Sequence, residues 1–295
     1  WNINQEIMDY EPEYLVQRNS DVDVLFNKYG TDYVTMVDVD ESIKYVQDLE
    51  FDGRVLCINS AMGSGKTSAI CRYIKKHNPK RVIVLSPRIS YAKSITNEYN
   101  EKIKGEDQVE FMCYKHMKKE QIETCDRIVI SMESLHKLSF DYCKANPFDL
   151  IVVDECQANL TSHTCRETNG KHFDSNSDTF YSMLRYGKNI LFCDAFINAK
   201  TIEFLTYFQL PTLLLNYKRP MEQREAIVIQ TEKKDYDALL PYIAEEMKVD
   251  NKIYLCMSSA SRACEWEMAL KKKFPHKKIK LYSRGEGKEI EDVRK

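Results

Sequence analysis

Ser60-Ala-Met-Gly-Ser-Gly-Lys-Thr67 is the stretch of this chain whose residue types and spacing point most directly to a chemistry. An apolar run, Val55–Asn59, precedes it and a helical pattern follows, so the segment reads as strand end, loop and helix start. Gly63 and Gly65 let the backbone curl until successive N–H groups face a single phosphate. The N-terminus of the following helix adds partial positive charge. Lys66 supplies a point charge for the β- and γ-phosphates of a nucleotide, and Thr67 a hydroxyl for Mg2+. The spacing predicts a phosphate-binding loop made by Met62, Gly63, Ser64, Gly65, Lys66 and Thr67. Ser60 stands where the full pattern has its first glycine, so the match rests on the GxGKT core.

A second motif, Phe148-Asp-Leu-Ile-Val-Val-Asp-Glu155, is an apolar run of strand length that ends in two acids. That places Asp154 and Glu155 at a strand's carboxyl edge, where α/β proteins bind their ligands. Asp154 is expected to hold Mg2+, usually through water, and Glu155 to act as general base toward an attacking water. An Asp-Glu pair alone also serves to cap a helix. Together with the Lys66 loop it predicts ATP hydrolysis with Mg2+, with Lys66, Asp154 and Glu155 as the catalytic set.

The elements that must carry these groups alternate along the chain. Strands are expected at Arg54–Asn59, Arg81–Ser86, Arg127–Ser131, Leu150–Asp154, Asn189–Cys193 and Thr212–Leu215. Helical periodicity lies between them, as in Thr67–Lys76 and Ile89–Lys102. This is the pattern of an α/β fold, a parallel sheet flanked by helices. Residues 1–50 are polar and rich in Tyr and Asp, with one helical spacing near their end (Ile43, Val46, Leu49). They read as an N-terminal extension or the end of a preceding domain. The pattern breaks at Asn216-Tyr217-Lys218-Arg219-Pro220 and restarts with strands at Ala226–Gln230, Lys252–Met257 and Lys278–Tyr282 and helices at Tyr236–Met247 and Ala260–Lys273. The expected organisation is a first α/β domain at 51–217 and the start of a second, truncated, at 222–295. The opening residue is not Met and the last residues read as mid-helix, as expected of a piece of a longer protein.

Composition narrows the classes. With 295 residues the chain is long enough for about two domains and their cores. At 43% hydrophobic and 30% charged it is ordinary globular material, with no run approaching a membrane span and no signal peptide. A balance of 43 basic against 45 acidic residues excludes a histone-like polycation but not a local phosphate-binding groove. The ten cysteines are scattered without any CxxC, so they read as free thiols in a reducing compartment. Cys156, His163, Cys165 and His172 come nearest to a metal cluster, and their spacing matches no common zinc pattern. Lys271-Lys-Lys273 reads as a solvated helix end, where lysines favour the C-terminal dipole.

The loop motif with Asp154-Glu-Cys-Gln157 resembles the superfamily 2 helicases. With Leu85-Ser-Pro-Arg-Ile-Ser-Tyr91 added, the chain resembles the herpesvirus-type replication-origin-binding helicases and the related helicase-primase proteins of large DNA viruses. Ser86, Pro87 and Arg88 match motif Ia of that group, and Ile130-Ser-Met-Glu-Ser-Leu135 resembles motif Ib. Phe192-Cys-Asp-Ala195 resembles motif III, in which Asp194 would couple the two activities. Tyr254-Leu-Cys-Met-Ser-Ser259 resembles the motif IV strand of a second RecA-like domain. The resemblance covers roughly residues 45–295. It implies a P-loop RecA-like domain followed by a partial second one, with motifs V and VI and the arginine finger expected beyond Lys295.

It also implies a function: movement on, or unwinding of, DNA in viral genome replication, driven by hydrolysis of Mg-ATP. DNA, single-stranded or forked, would be held through its phosphates by Arg88, Ser131, Ser258 and Ser259, although serine at a strand end is also ordinary turn chemistry. Expected partners are other replication proteins, or an attached primase or origin-binding domain, and no membrane. The expected location is intracellular, in host cytoplasm or nucleus at sites of viral replication. Two other readings stay open: an ATP-gated DNA-binding or scaffold module without unwinding activity, and a P-loop nucleotide kinase.

Overall fold

A computed structural model describes residues 33–51, 53–105, 109–217, 242, 243, 245, 246, 253, 255 and 260–279. Among them, eight strands form one sheet in which every pairing is parallel: β1 (Val34–Val39), β2 (Val55–Asn59), β3 (Val82–Ser86), β4 (Met112–Cys113), β5 (Arg127–Ser131), β6 (Leu150–Asp154), β7 (Asn189–Asp194) and β8 (Thr212–Tyr217). Their order across the sheet is β1-β8-β2-β7-β6-β3-β5-β4. β2, β3, β5 and β6 are buried along their whole length, which is why they read as continuous apolar runs rather than alternations.

The helices of the same unit are α1 (Lys66–His77), α2 (Ile89–Ile103), α3 (Lys119–Thr124), α4 (Phe140–Ala145), α5 (Cys156–Thr164), α6 (Arg166–Asn169), α7 (Phe173–Tyr186) and α8 (Ala199–Tyr207). α2 buries Ala92, Ile95, Tyr99 and Ile103, a stripe at helical spacing that packs on the sheet. α7 and α8 bury Phe180, Met183, Leu184, Ile202 and Leu205 in the same core.

Two parts of the fold differ from the sequence expectation. Val34–Val39, in the stretch read as an extension, is the edge strand of the sheet, paired with β8 from Val34↔Thr212 to Val39↔Tyr217. Ile43, Val46 and Leu49 carry helical spacing, yet the backbone there is not helical. Val46 N–H donates to Ser64 O (2.9 Å) and Arg72 Nη2 donates to Val46 O (3.0 Å). Tertiary partners take both backbone groups, and the segment runs as a strap with Val46 and Leu49 buried.

The amino ends of the strands are tied by arginines. Arg54 donates to Leu184 O and, through Nε, to Gly187 O (2.9 Å), at the end of α7. Arg81 donates to Asn146 O and to Glu123 O (3.3 Å), at the ends of α4 and α3. Arg127 donates to Asn78 Oδ1 (2.7 Å) and Pro79 O (3.2 Å), beyond α1, and to Val109 O (2.9 Å). Helix C-termini leave carbonyls without intrahelical partners, and a guanidinium satisfies several at once.

The chain divides into two compact units, residues 1–223 and 224–295. In the second, α9 (Ala260–Lys273) turns Trp266 and Leu270 into a small core with Ile243 and Phe274. A Lys271–Glu267 pair (2.7 Å, one turn apart) lies on this helix, and Lys271, Lys272 and Lys273 form its last turn. Of the strands expected in this unit, Ala226–Gln230 lies outside the described residues. Ile253 and Leu255 of the second and Lys278 and Ile279 of the third are described and are not in strands, and the rest of both lies outside.

Candidate active site at the carboxyl edge of the sheet

Register brings the chemistry together. Asn59 at the end of β2 pairs with Asp194 at the end of β7, and Cys193 beside it pairs with Asp154 at the end of β6. The loop that follows β2 therefore lies next to two strand ends that carry carboxylates, at one level of the sheet.

The loop is built from its own side chains. Gly63 (φ 73°) and Gly65 (φ 83°) occupy the left-handed region, where other residues are strained. A Cβ at Gly63 would meet nothing within 4 Å, so its conformation rather than close packing calls for glycine. Ser60 explains the departure from a first glycine. It takes no left-handed conformation, and its hydroxyl lies 2.8 Å from that of Ser64, both buried, which staples the two sides of the loop. Ser60 N–H donates to Asp194 O (3.0 Å), fixing the loop to β7.

Lys66 folds its ammonium back over the curl, donating to Ser60 O (2.7 Å) and Ala61 O (3.2 Å). Gly65 is the N-cap of α1, and no side-chain hydrogen bond caps it. Thr67 is the second residue of the helix and half-buried, and Met62 is exposed at the tip of the loop. This arrangement of backbone N–H groups, helix N-terminus and ammonium can receive a phosphate.

Asp154 is buried and its carboxylate is held from three sides: Tyr91 Oη donates to Oδ2 (2.7 Å), Glu155 N–H to Oδ1 (3.1 Å) and the Cys193 thiol to Oδ1 (3.2 Å). Glu155, the next residue, sits at φ 49° as the N-cap of α5. A non-glycine residue held in that region is a strained backbone of the kind that clusters at working sites. Its carboxyl is pushed above the usual range, first by burial and then by the nearby charges of Asp194 and Asp154, with Lys66 opposing. A raised carboxyl close to a cation is suited to taking a proton from water.

Asp194 ties the pieces together. Its Oδ2 accepts from Gln157 N–H (2.8 Å) in the first turn of α5, its Oδ1 from Phe196 N–H (3.0 Å), and its backbone from Ser60. The acid thus caps the helix that follows Glu155 while anchoring the loop that carries Lys66.

The oxygen-donor chemistry of Asp154 and Thr67 fits Mg2+, which takes one or two protein oxygens together with phosphates and waters. Among the described residues no three His, Cys, Asp or Glu side chains gather into a metal cage. Cys156 is buried against Thr201, His163 pairs with the Tyr181 hydroxyl (3.1 Å), Cys165 lies beside Thr168, and His172 stacks on His136 (3.7 Å between ring centres).

The expected DNA contacts fare differently. Arg88 is exposed at the end of β3, as the N-cap of α2. Ser131 is corrected: it is fully buried at the end of β5. Its hydroxyl donates to Ser134 Oγ (3.0 Å) and lies 2.8 Å from Tyr114 Oη, so it is enclosed rather than offered to a ligand. Ser258 and Ser259 lie outside the described residues.

Tyr91, Cys193 and Gln157 were not singled out for these roles by the sequence, because each acts through a partner far along the chain. The same holds for Asn59, which donates to Asn216 Oδ1 (2.8 Å) while Asn216 donates to Asp38 Oδ1 (2.8 Å). Polar residues closing apolar strands at 38, 59 and 216 were the available signal.

The parallel sheet, its flanking helices and the loop at its carboxyl edge define a RecA-like α/β domain. A structure of Mss116p (NTE and C-tail double deletion) bound to ssRNA and AMP-PNP matches with a TM-score of 0.50 at 16% identity, over 77% of this chain and 51% of that one. The DEAD-box helicase Mss116 bound to ssRNA and UDP-BeF gives 0.51 at 14% identity, over 76% and 51%. At these identities the likeness is one of fold.

The family described as origin of replication binding protein matches residues 22–214, and the chain belongs to that family. The replication origin-binding protein of Human herpesvirus 7 (strain JI) is 24% identical over 257 residues, covering 83% of this chain and 31% of the relative. A putative helicase/primase complex protein of African swine fever virus (isolate Warthog/Namibia/Wart80/1980) is 23% identical over 232 residues, 77% of this chain and 21% of the relative. The chain thus spans a third or less of the length of these relatives. No helix among the described residues is long and apolar enough to cross a membrane.

Proposed function

We propose that this chain is the ATPase core of a superfamily 2 DNA helicase or translocase acting in viral DNA replication. The observation that carries the reading is the convergence of the Lys66 loop, Asp154, Glu155 and Asp194 on three neighbouring strand ends, β2, β7 and β6. ATP would lie against Met62, Gly63, Ser64, Gly65, Lys66 and Thr67. Thr67 and Asp154 would hold Mg2+, whose chemistry there is to neutralise charge on the phosphates. Glu155 orients and deprotonates the attacking water, and Asp194 transmits changes at the loop to α5. Arg88 grips a DNA phosphate, which carries no sequence information.

Residues 51–217, with the edge strand β1, form the first RecA-like domain in this reading. Residues 222–295 begin the second, with Ser258 and Ser259 as further proposed DNA contacts. DNA, single-stranded or forked, and other replication proteins or an attached primase or origin-binding domain are the proposed partners, in keeping with the names of the relatives.

The test is ATP turnover and nucleotide affinity measured with single-stranded DNA, with forked duplex and with nucleoside monophosphates. DNA should change turnover or affinity and inorganic phosphate should be the product. Arg88→Ala should weaken DNA binding equally across sequences and lower its salt slope by about one. Transfer of phosphate to a monophosphate, or indifference of both readouts to DNA, would contradict the reading.

A further inference from the structure

Asp154 is held by three donors, and one of them takes no part in the proposed hydrolysis. The Glu155 amide and Cys193 thiol reach Oδ1 from the strand ends β6 and β7. Tyr91 reaches Oδ2 from another direction, the first turn of α2, at 2.7 Å. A hydroxyl this close to a carboxylate makes a charge-assisted bond, stronger than a neutral one.

The same turn holds Arg88. Arg88 O accepts from Ser86 Oγ (2.7 Å) and from Ala92 N–H (3.0 Å), and Ala92, next to Tyr91, is fully buried. The exposed guanidinium and the Tyr91 ring therefore belong to one hydrogen-bonded turn, fixed at one end by the core and at the other by Asp154. Arg88 and Tyr91 are thus separated by one turn of helix rather than by loop.

We propose that Tyr91 is a positioning residue that ties Asp154 to the Arg88 turn, so that a phosphate chain held at Arg88 and a metal–nucleotide complex held at Asp154 alter each other's binding. The proposal rests on the nucleotide-site reading above and names how that site is regulated. Partners that orient a metal-binding side chain typically change metal affinity by about 10–100-fold. Coupling between two binding sites is reciprocal, so either ligand can be used to read it.

The experiment is equilibrium binding of a fluorescent ATP analogue, titrated with Mg2+, with and without an oligo(dT) strand. Wild type, Tyr91→Phe, Arg88→Ala, Asp154→Asn and the Tyr91→Phe/Asp154→Asn double variant are compared. Tyr91→Phe keeps the ring and removes the donor. It should raise the Mg2+ midpoint about tenfold, leave affinity in EDTA unchanged and abolish the effect of oligo(dT) on the midpoint. Arg88→Ala should abolish the oligo(dT) effect alone. The double variant should match Asp154→Asn, because Tyr91 acts through that carboxylate.

An unchanged midpoint in Tyr91→Phe, an equal loss in EDTA, or an additive double variant would overturn the proposal. So would retention of the oligo(dT) effect. Unfolding of Tyr91→Phe at the assay temperature, read by circular dichroism, would assign the hydroxyl to stability and overturn it as well. If wild type fails to bind the analogue, the nucleotide-site reading falls and this proposal with it. If wild type binds and Tyr91→Phe behaves identically, this proposal falls alone.

Discussion

The two edges of the sheet use polar side chains in opposite ways. At the amino edge Arg54, Arg81 and Arg127 reach mainly backbone carbonyls at or near the ends of helices. These are main-chain partners that no small ligand replaces. At the carboxyl edge Lys66, Asp154, Glu155 and Asp194 meet one another's loops and amides, and Lys66 donates to the Ser60 and Ala61 carbonyls of its own loop. A phosphate or a hydrated cation can take over some of those contacts. In a parallel sheet the strands all point one way, so helix C-termini gather at one edge and helix N-termini at the other. The first edge calls for cations as permanent caps, and the second presents N–H groups and acids to a ligand.

The largest separation of the two edges is expected from Glu155→Gln. It should lower ATP turnover by roughly 10²–10⁴-fold, the usual contribution of a general base, while nucleotide affinity and stability stay near wild type. The same carboxyl sets a pH test. Its raised pKa means that the base form is lost, as pH falls, earlier than for an ordinary carboxylate. The acid limb of the turnover profile should therefore lie above the usual glutamate range and vanish in Glu155→Gln.

Arg127→Ala is the converse. Arg127 is almost fully buried and donates to three acceptors, so removing it leaves carbonyls unpaired. Unfolding by urea should show a loss of about 3 kcal/mol, with nucleotide affinity of the folded protein unchanged. Arg127→Lys should recover only part, because an ammonium cannot reproduce the planar fork.

A smaller effect is expected behind the carboxyl edge, at His163. It is buried between Phe180 and Tyr181, and burial, helped by Lys200, pushes its pKa down to about 4 from 6.5. The unfolded chain takes up the proton first, so stability is complete above pH 6.5 and falls as pH drops toward 4. Between pH 7 and 5 the loss should be about 2 kcal/mol. His163→Leu should flatten that part of the stability profile, and denaturant titrations at the two pH values would show it.

What the sequence made legible follows from where each signal is stored. Leu150–Asp154 and Arg127–Ser131 were read to the residue because fully buried parallel strands are unbroken apolar text. The loop was read because glycine conformation, lysine and threonine act within eight residues of each other. Val34–Val39 was missed because an edge strand is half exposed, and its polar Thr35 and Asp38 hide the run. Ile43, Val46 and Leu49 carry helical spacing although the segment is a non-helical strap, which buries Val46 and Leu49 and leaves Ile43 exposed. Ser131 kept its place but not its expected role, because Tyr114, which encloses it, comes from a separate turn. Tyr91 closes the Leu85–Tyr91 segment, but nothing in that segment points to its partner, which is 63 residues away.

The central claim is that the carboxyl edge binds Mg-ATP through the Lys66 loop, and titration calorimetry of Mg-ATP into wild type, Lys66→Ala and Arg127→Lys tests it most directly. Wild type and Arg127→Lys should bind one equivalent with similar affinity. Lys66→Ala should fold normally and lose at least about 100-fold in affinity, since truncating one partner of a close charge pair costs several kcal/mol. Equal affinity in wild type and Lys66→Ala would contradict the account.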